Sequence, residues 1–280
     1  MKARFLIWSI FSISFFSMNA QENLSVNMNL KTEPTDKINF NESSIGITFS
    51  KKLNAKNQIT NTLEYSGLKV NYELLSFKNT ENLNQFNKIE NTFEIKHDIS
   101  NATKLELAIT PSVNFQQNLD ASDFSLFGSF DISQQLNSKT TIKIGVARSA
   151  IFGYPKFIPT LSVNYQMNDH SNMLLGFPDS NISYSNNIRN KFSLTNSFNG
   201  TFYHLDTPNS FYENATKASL SQMTSAFEYE RNVTKNWFLN FKAGYDFNKK
   251  YNLQDTDNHR LYDFNTGNGY ILGIGIKYKQ

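Results

Sequence analysis

Apolar and polar residues alternate strictly along many segments of the chain, and the clearest segment runs from Trp237 to Asn248. One parity of this segment is apolar throughout, whereas the other is mostly polar or charged. The apolar positions are Trp237, Leu239, Phe241, Ala243, Tyr245 and Phe247. A period of two places successive side chains on opposite faces of a β-strand. The segment is therefore predicted to be a strand with one apolar and one polar face.

The last segment of the sequence repeats this pattern, with an aromatic residue at each end. Tyr270 and Tyr278 flank Leu272, Ile274 and Ile276 on one parity, and the other parity carries glycine and lysine. Aromatic rings favour the two membrane interfaces, whereas aliphatic side chains favour the hydrocarbon between them. The segment is therefore typical of a strand whose apolar face meets lipid.

Six short polar connections that contain asparagine each lie between two alternating segments. They are Leu53–Asn57, Ser100–Lys104, Leu136–Thr140, Met167–Ser171, Asn186–Asn190 and Arg231–Lys235. Asparagine tolerates the left-handed backbone of tight turns, so hairpins are expected at these places.

Mostly longer connections lie between the short ones. They are Lys31–Asn41, Phe77–Gln85, Gln116–Ser122, Ser149–Phe157, Leu205–Thr216 and Lys249–Asn268. Short turns that alternate with long loops are typical of an outer-membrane barrel, in which the short turns face the periplasm. These loops carry the aromatic residues Phe211, Tyr212, Tyr251, Tyr262 and Phe264, which are expected to pack a loop lid over the barrel mouth. The alternative is that they stack on sugars or contact a partner.

The spacing of these connections predicts an all-β, antiparallel transmembrane barrel of about 14 strands. One hairpin is short, because only Asn172–Phe177 and Asn181–Ser185 flank Pro178. A strand needs roughly 9–11 residues to cross a bilayer obliquely, so 12 strands is the alternative.

Alternation alone does not separate a membrane barrel from a soluble β-protein, because the apolar face can line a core or meet lipid. The ring-ended apolar segments and the small number of punctuating residues, 12 Gly and 6 Pro, favour the barrel. In lipid the sheet must close, because an open edge leaves backbone groups without hydrogen bonds.

The N-terminus has the features of a secretory signal peptide. Lys2 and Arg4 precede an apolar segment, Phe5–Phe16, and Ala20 offers a cleavage site. We therefore expect a signal peptide at 1–20, a barrel domain at 21–280, and a location in the outer membrane of a Gram-negative bacterium. Loss of Lys2 and Arg4 lowers the net charge from +3 to +1, so nothing favours nucleic acid.

Two short motifs resemble an uncharacterised family of outer-membrane β-barrels, a domain of unknown function common in Bacteroidota. They are Gly153–Pro159 (GYPKFIP) and Gly176–Tyr184 (GFPDSNISY). The resemblance implies a fold and a location over nearly the whole mature chain, but no substrate and no catalytic residues.

Charged residues on the polar parity of the strands are the candidates for the lining of a lumen. They are Glu64, Glu94, Lys96, Glu106, Asp131, Lys143, Glu228, Lys242, Asp246 and Lys277. Both signs of charge occur, so the set is compatible with a wet channel that selects weakly by size and charge. It is equally compatible with ion pairs that close a narrow barrel.

The sequence offers no arrangement that marks a catalytic or cofactor site. The absence of cysteine excludes disulfides, thiolate metal sites, a cysteine nucleophile and a lipidated N-terminal cysteine. His204 lies at the depth where lipid-modifying barrels place a histidine, but no spacing identifies a nucleophile for it. Asp255 and Asp257 begin like a calcium loop, yet His259 stands where the next oxygen ligand belongs. No enzyme activity, metal or cofactor is predicted.

Three function classes remain open at this point. The leading prediction is a passive pore or transporter for small solutes of unspecified identity. The first alternative is a structural or adhesive surface barrel with an occluded lumen, and the second is a lipid-modifying enzyme. The expected partners are outer-membrane lipid and the barrel assembly machinery.

Overall fold

The computed structural model describes residues 23–73, 83–206 and 214–280, so the predicted signal peptide lies outside the described residues. The strands are β1 (Asn23–Pro34), β2 (Ile38–Lys52), β3 (Asn57–Tyr72), β4 (Gln85–Asp98), β5 (Thr103–Phe115), β6 (Phe124–Gln135), β7 (Thr140–Ser149), β8 (Lys156–Asn168), β9 (Ser171–Phe177), β10 (Asp179–Asn187), β11 (Asn190–His204), β12 (Lys217–Thr234), β13 (Trp237–Gln254), β14 (Arg260–Asp263) and β15 (Gly269–Lys279). A short 3-10 helix, Ala121–Asp123, precedes β6. Among the described residues, no helix is long and apolar enough to cross a bilayer.

The sheet is a closed antiparallel barrel. From β1 to β13 each strand pairs with the next one in sequence, β13 then pairs with β15, and β15 pairs with β1. The short strand β14 pairs only with the outer part of β13 and belongs to the connection between β13 and β15. Fourteen strands therefore form the wall, and the predicted number is confirmed.

The short hairpin is part of this wall, although its strands remain the shortest ones in it. β9 and β10 have 7 and 9 residues, slightly more than the sequence suggested. β9 pairs with β8, and β10 pairs with β11. The outer part of β11, after Ser197, extends beyond β10. This part of β11 pairs with neither strand of the hairpin.

The predicted apolar parities form a continuous outward belt. Its exposed members include Met28, Leu30, Ile45, Ile95, Leu107, Leu126, Ile144, Leu161, Leu175, Leu194, Phe227, Phe241, Leu272 and Ile274. Large apolar side chains exposed all around the wall are incompatible with water and match a lipid bilayer. Trp237 contacts Tyr278 at the edge next to the short turns, and Tyr245 contacts Tyr270 at the other edge.

Six short turns lie at one end of the barrel, the short-turn end, together with both ends of the described wall. In three of them the side-chain oxygen of Asn54, Asn137 or Asn187 accepts two backbone N–H groups at 2.8–2.9 Å. The hairpins expected here are therefore confirmed, but the left-handed backbone given as their reason is wrong, because none of these asparagines has a positive φ. These asparagines build Asx turns, in which the amide oxygen satisfies the free N–H groups of the turn. The last turn is also two residues later than predicted, because β12 continues to Thr234.

The connections at the opposite end, the long-loop end, are shorter than expected in two places. β1 continues to Pro34 and β2 begins at Ile38, so most of the predicted connection Lys31–Asn41 is strand. β13 continues to Gln254 and contains a bulge, in which Asn248 and Lys249 lie opposite Gln222. Asn248 has a φ of 50°, a left-handed conformation that asparagine adopts more easily than most residues.

The bulge inverts the two faces of β13. Before it, Tyr245 and Phe247 point outward; after it, Lys249, Tyr251 and Leu253 are buried inside the barrel. A strictly alternating strand would have placed these three side chains on the lipid face.

A charge on the outward face should destabilise the barrel far more than the same charge on the inward face. For Ile274→Lys, which lies in the centre of the exposed belt, we expect a loss of about 2–4 kcal/mol in the free energy of unfolding. The matched control is Asn240→Lys, on the inward face of the neighbouring strand β13. Urea unfolding in lipid vesicles measures both values, and equal losses would contradict the assigned faces.

Candidate functional site

The structure brings most of the ten charged candidates together as ion pairs on the face opposite the apolar belt. The pairs are Lys96–Glu94 at 3.0 Å, Lys96–Glu106 at 3.7 Å, Lys143–Glu106, Lys242–Glu228 at 2.9 Å and Lys277–Glu230 at 3.6 Å. Asp131 accepts a hydrogen bond from Thr160 at 2.5 Å. Asp246 accepts one from Thr224 at 2.7 Å, and Glu64 lies between Gly46 and Glu90 in the strand register.

The interior near the short-turn end is accessible to water. The side chains of Lys242 and Glu228 are 31% and 40% exposed although both point into the barrel. A cavity of about 340 Å³ lies here, and its lining includes Lys191, Glu230 and Lys277. We call this region the wet compartment.

A dry ion network lies farther toward the long-loop end. The ammonium of Lys249 pairs with Glu33 and, at 3.1 Å, with Asp246, and the side chains of Lys249 and Asp246 have no exposed surface. Lys31 contacts Glu33 at 2.9 Å and Glu42 at 2.7 Å. It connects the dry network to water, since the side chains of Lys31 and Glu42 are 33% and 28% exposed. Every one of these charges has a partner, as buried ions require.

Sequence reasoning missed Lys31, Glu33 and Lys249 because it assigned them to loops. It also left out Glu42, which follows the first of these loops. Lys31 and Glu33 could have been found, since they continue the inward parity of β1 beside Leu30. Lys249 could not, because the bulge at Asn248 reverses its parity.

An apolar cluster, which we call the plug, fills the barrel above the dry network. Its buried members come from opposite walls and are Ile38, Phe40, Leu68, Val70, Leu83, Phe86, Tyr203, Leu205, Ala215, Ala218, Leu220, Tyr251, Leu253 and Phe264. The hydroxyls of Tyr72 and Tyr251 lie 2.9 Å apart, and the ring of Tyr251 stacks on that of Phe264 with 4.4 Å between centres. Phe86 stacks on Tyr203 at 4.9 Å. The expected packing of outer aromatic residues over the mouth is found for Tyr251, Tyr262 and Phe264, whereas Phe211 and Tyr212 lie outside the described residues.

The outer part of β11 reaches across the barrel beside the plug. β11 forms a parallel bridge from His204 to Phe115 of β5, a strand that is not its neighbour in the wall. The short β9–β10 hairpin permits this contact, since it leaves the edge of β11 free. Phe202 belongs to the parity predicted to face outward, but it is only 1% exposed.

The β7–β8 connection fills the remaining space beside β11. A Cβ on Gly200 would lie 2.4 Å from the carbonyl oxygen of Ile151, so only glycine allows this approach. The ring of Phe152 lies 6.4 Å from that of Phe177 and 6.2 Å from that of Phe198. The β7–β8 connection therefore packs directly against the outer part of β11.

His204 does not form a catalytic arrangement. It lines an outer cavity of about 530 Å³ together with Ser122, Asp123 and Asp206, but within the described ranges it makes no hydrogen bond to a serine or a carboxylate. Burial, together with nearby Lys217, lowers the pKa of His204 to about 4, so the ring is neutral at pH 7.

The loop acids have a structural role. The carboxylate of Asp255 accepts the backbone N–H groups of Asp257 and His259 at 2.9 and 2.8 Å, and it contacts the ring of His259. These contacts stabilise the turn between β13 and β14.

Removal of the buried cation of the dry network should cost more than removal of an exposed one. Lys249→Met leaves Asp246 charged and buried without its cation, and we expect a loss of about 3 kcal/mol in the free energy of unfolding. Lys277→Met breaks a pair whose side chains are 30% and 26% exposed, and it should cost below about 1 kcal/mol. Urea titrations of both variants in the same detergent provide the comparison; losses of similar size would count against the dry network.

The outer cavity should respond to pH through two opposing groups. Protonation of His204 is disfavoured in the fold, so its contribution to stability is lost as pH falls from 6.5 toward about 4. Burial and the neighbouring carboxylates Asp120 and Asp206 raise the pKa of Asp123 to about 6, so its unfavourable charge is relieved as pH falls below that value.

Two variants separate these contributions. Relative to the wild type, His204→Gln should gain stability on acidification, whereas Asp123→Asn should lose it. The urea midpoint measured at intervals between about pH 7 and pH 4 reports the difference. Parallel curves for the two variants would exclude this assignment.

Comparison with solved structures gives membrane barrels at low sequence identity. An outer membrane channel from Pseudomonas putida F1 is 8% identical, with a TM-score of 0.49 over 94% of this chain and 97% of that one. NanC porin is 9% identical, with a TM-score of 0.43 over 91% of this chain and 100% of that one. KdgM porin in complex with disordered oligogalacturonate is 7% identical, with a TM-score of 0.39 over 90% of this chain and 98% of that one.

Comparison by sequence gives one family and no relative of curated function. No curated protein matches the chain significantly. Residues 12–279 match the family described as a domain of unknown function, DUF6268, and the motifs Gly153–Pro159 and Gly176–Tyr184 lie within that match. Because the match covers nearly the whole chain, this protein belongs to the DUF6268 family.

Proposed function

We propose that this chain is exported by a signal peptide at 1–20 and resides in the outer membrane with its short turns in the periplasm. Two features support this placement. The outward belt of large apolar side chains requires lipid around the whole wall. The six short turns share one end with both ends of the wall, which is the arrangement of barrels with periplasmic termini.

We further propose that the protein is a surface barrel with an occluded lumen rather than an open passive pore. The plug carries this conclusion. The side chains of Phe40, Tyr251 and Phe264 are at most 2% exposed and contact one another on one side of the barrel. Phe86 of β4 stacks on Tyr203 of β11, which lies on the opposite side of the wall. Side chains that are buried against one another in this way leave no room between them for a water-filled path for ions. Contact with molecules outside the cell is then made by the outer connections and not through the lumen.

Gated passage of small solutes is the second candidate, and the wet compartment favours it. Lys242, Glu228, Lys277 and Glu230 are hydrated side chains of both signs inside a wall that faces lipid. Such a lining would select weakly by size and charge once the plug moved. The candidate lumen residues then have a transport role, whereas in an occluded barrel they only hold the interior together as ion pairs.

Conductance in planar bilayers tests the proposal. The wild-type barrel should leave the bilayer sealed at low voltage, and the double variant Tyr251→Ala/Phe264→Ala should produce discrete current steps. The matched control is Phe241→Ala/Phe247→Ala, which removes two rings from the lipid face and should leave the bilayer sealed.

The outcomes separate the candidates. Discrete steps from the wild type at low voltage would contradict occlusion and support an open pore. Steps that appear in the wild type only above a threshold voltage would support the gated channel. A sealed bilayer with the plug variant, at normal folding, would show that the two rings are not the barrier.

A further inference from the structure

The outward face of β1, β2 and β3 interrupts the apolar belt close to its edge at the long-loop end. Here Ser43 and Gly67 lie side by side in the register, where other strands carry large apolar residues. The interruption leaves an outward groove of about 680 Å³. The groove lies outside the lumen, so its role does not depend on whether ions can pass the plug.

The walls of this groove are suited to an acyl chain. Leu30 and Leu272 are 61% and 53% exposed, and both line the groove beside Ile274. On the other side lies the ring of Tyr65, whose hydroxyl donates a hydrogen bond to Asn87 at 2.8 Å. The Tyr65 hydroxyl lies beside Gly67, at 3.5 Å from the place where a Cβ would stand, which is an ordinary contact distance.

A row of hydrogen-bond donors lies at the outer end of the same groove. Asn41, Lys69 and Gln85 are opposite one another on β2, β3 and β4, and all three line the groove. Thr32 donates to the side-chain oxygen of Asn41 at 2.8 Å. This contact uses the acceptor of the Asn41 amide and leaves its NH₂ group to donate outward.

The charge at this end of the groove is positive. Lys69 is exposed, and no carboxylate of the described residues forms an ion pair with it. The nearest acid in the lining, Glu42, points to the inward face and pairs with Lys31. A cation with neighbouring amide donors at the membrane interface complements the oxygens of a phosphate group.

We infer that this groove is a binding site for a membrane lipid with a phosphate-bearing anionic headgroup. The phosphate accepts hydrogen bonds from Lys69 and from the amides of Asn41 and Gln85. One acyl chain lies over Ser43 and Gly67, between Leu30 and Tyr65. The acyl chain then fills the interruption in the belt. A lipid of this kind matches both the apolar and the cationic end of the groove.

Native mass spectrometry of the full barrel in detergent tests the site, with phosphatidylglycerol and phosphatidylcholine as probes. The wild type should retain one phosphatidylglycerol, and phosphatidylcholine should be retained far less. Lys69→Gln should weaken retention of phosphatidylglycerol by about tenfold, because it removes the charged hydrogen bond. Gly67→Leu should abolish retention of either lipid, because the new side chain occupies the path of the acyl chain.

Controls keep a loss of binding apart from a loss of folding. Lys156→Gln removes an exposed lysine at the outer end of β8, away from the groove, and should retain the lipid as the wild type does. Heat-modifiable migration on gels verifies that each variant is folded. Equal retention of the two lipids by the wild type, or unchanged retention of phosphatidylglycerol by a folded Lys69→Gln variant, would overturn the inference.

Discussion

Backbone N–H and C=O groups without partners cost several kcal/mol each in hydrocarbon, and this cost governs the architecture of the protein. The pairing of β15 with β1 removes the two free edges that the sheet would otherwise expose to lipid. Once the wall is closed, each strand has one face toward lipid and one toward the interior. The alternation along the chain then follows from the closure, because the face toward hydrocarbon accepts apolar residues, whereas the face toward the interior also accepts charged ones.

The interior shows how charges are tolerated at two different depths. Near the short-turn end, Lys242 and Glu228 remain hydrated, so their pairing adds little to stability. Above them, Lys249 and Asp246 have no access to water, and their mutual contact is a requirement for burial. Above this network the interior is apolar. The barrel therefore changes along its axis from a wet interior to one that resembles the core of a soluble protein.

The architecture was largely predictable from the sequence, but the way in which asparagine forms the short turns was not. The asparagine-bearing connections mark the short turns at nearly the right positions. The reason lies in the acceptor oxygen of residues such as Asn54 and Asn137, not in a left-handed backbone. The left-handed asparagines of the described chain, among them Asn248, are instead at the long-loop end. Residue type alone does not indicate which of these two properties a turn uses.

The sequence by itself indicated the strands, their two faces and the asymmetry of turns and loops, because a period of two is a local property of the chain. It left the number of strands at 14 or 12, because the short hairpin at Pro178 could not be judged from its length alone. It also identified the inward charges, such as Glu106 and Lys143, that follow this period. Only the tertiary structure decided that apolar side chains from distant strands meet inside the barrel near the long-loop end. The bulge at Asn248 turns Tyr251 inward, and the free edge of β11 reaches β5 at Phe115. Both depend on how far a strand bends and on which distant strands meet, and alternation along one strand contains neither quantity.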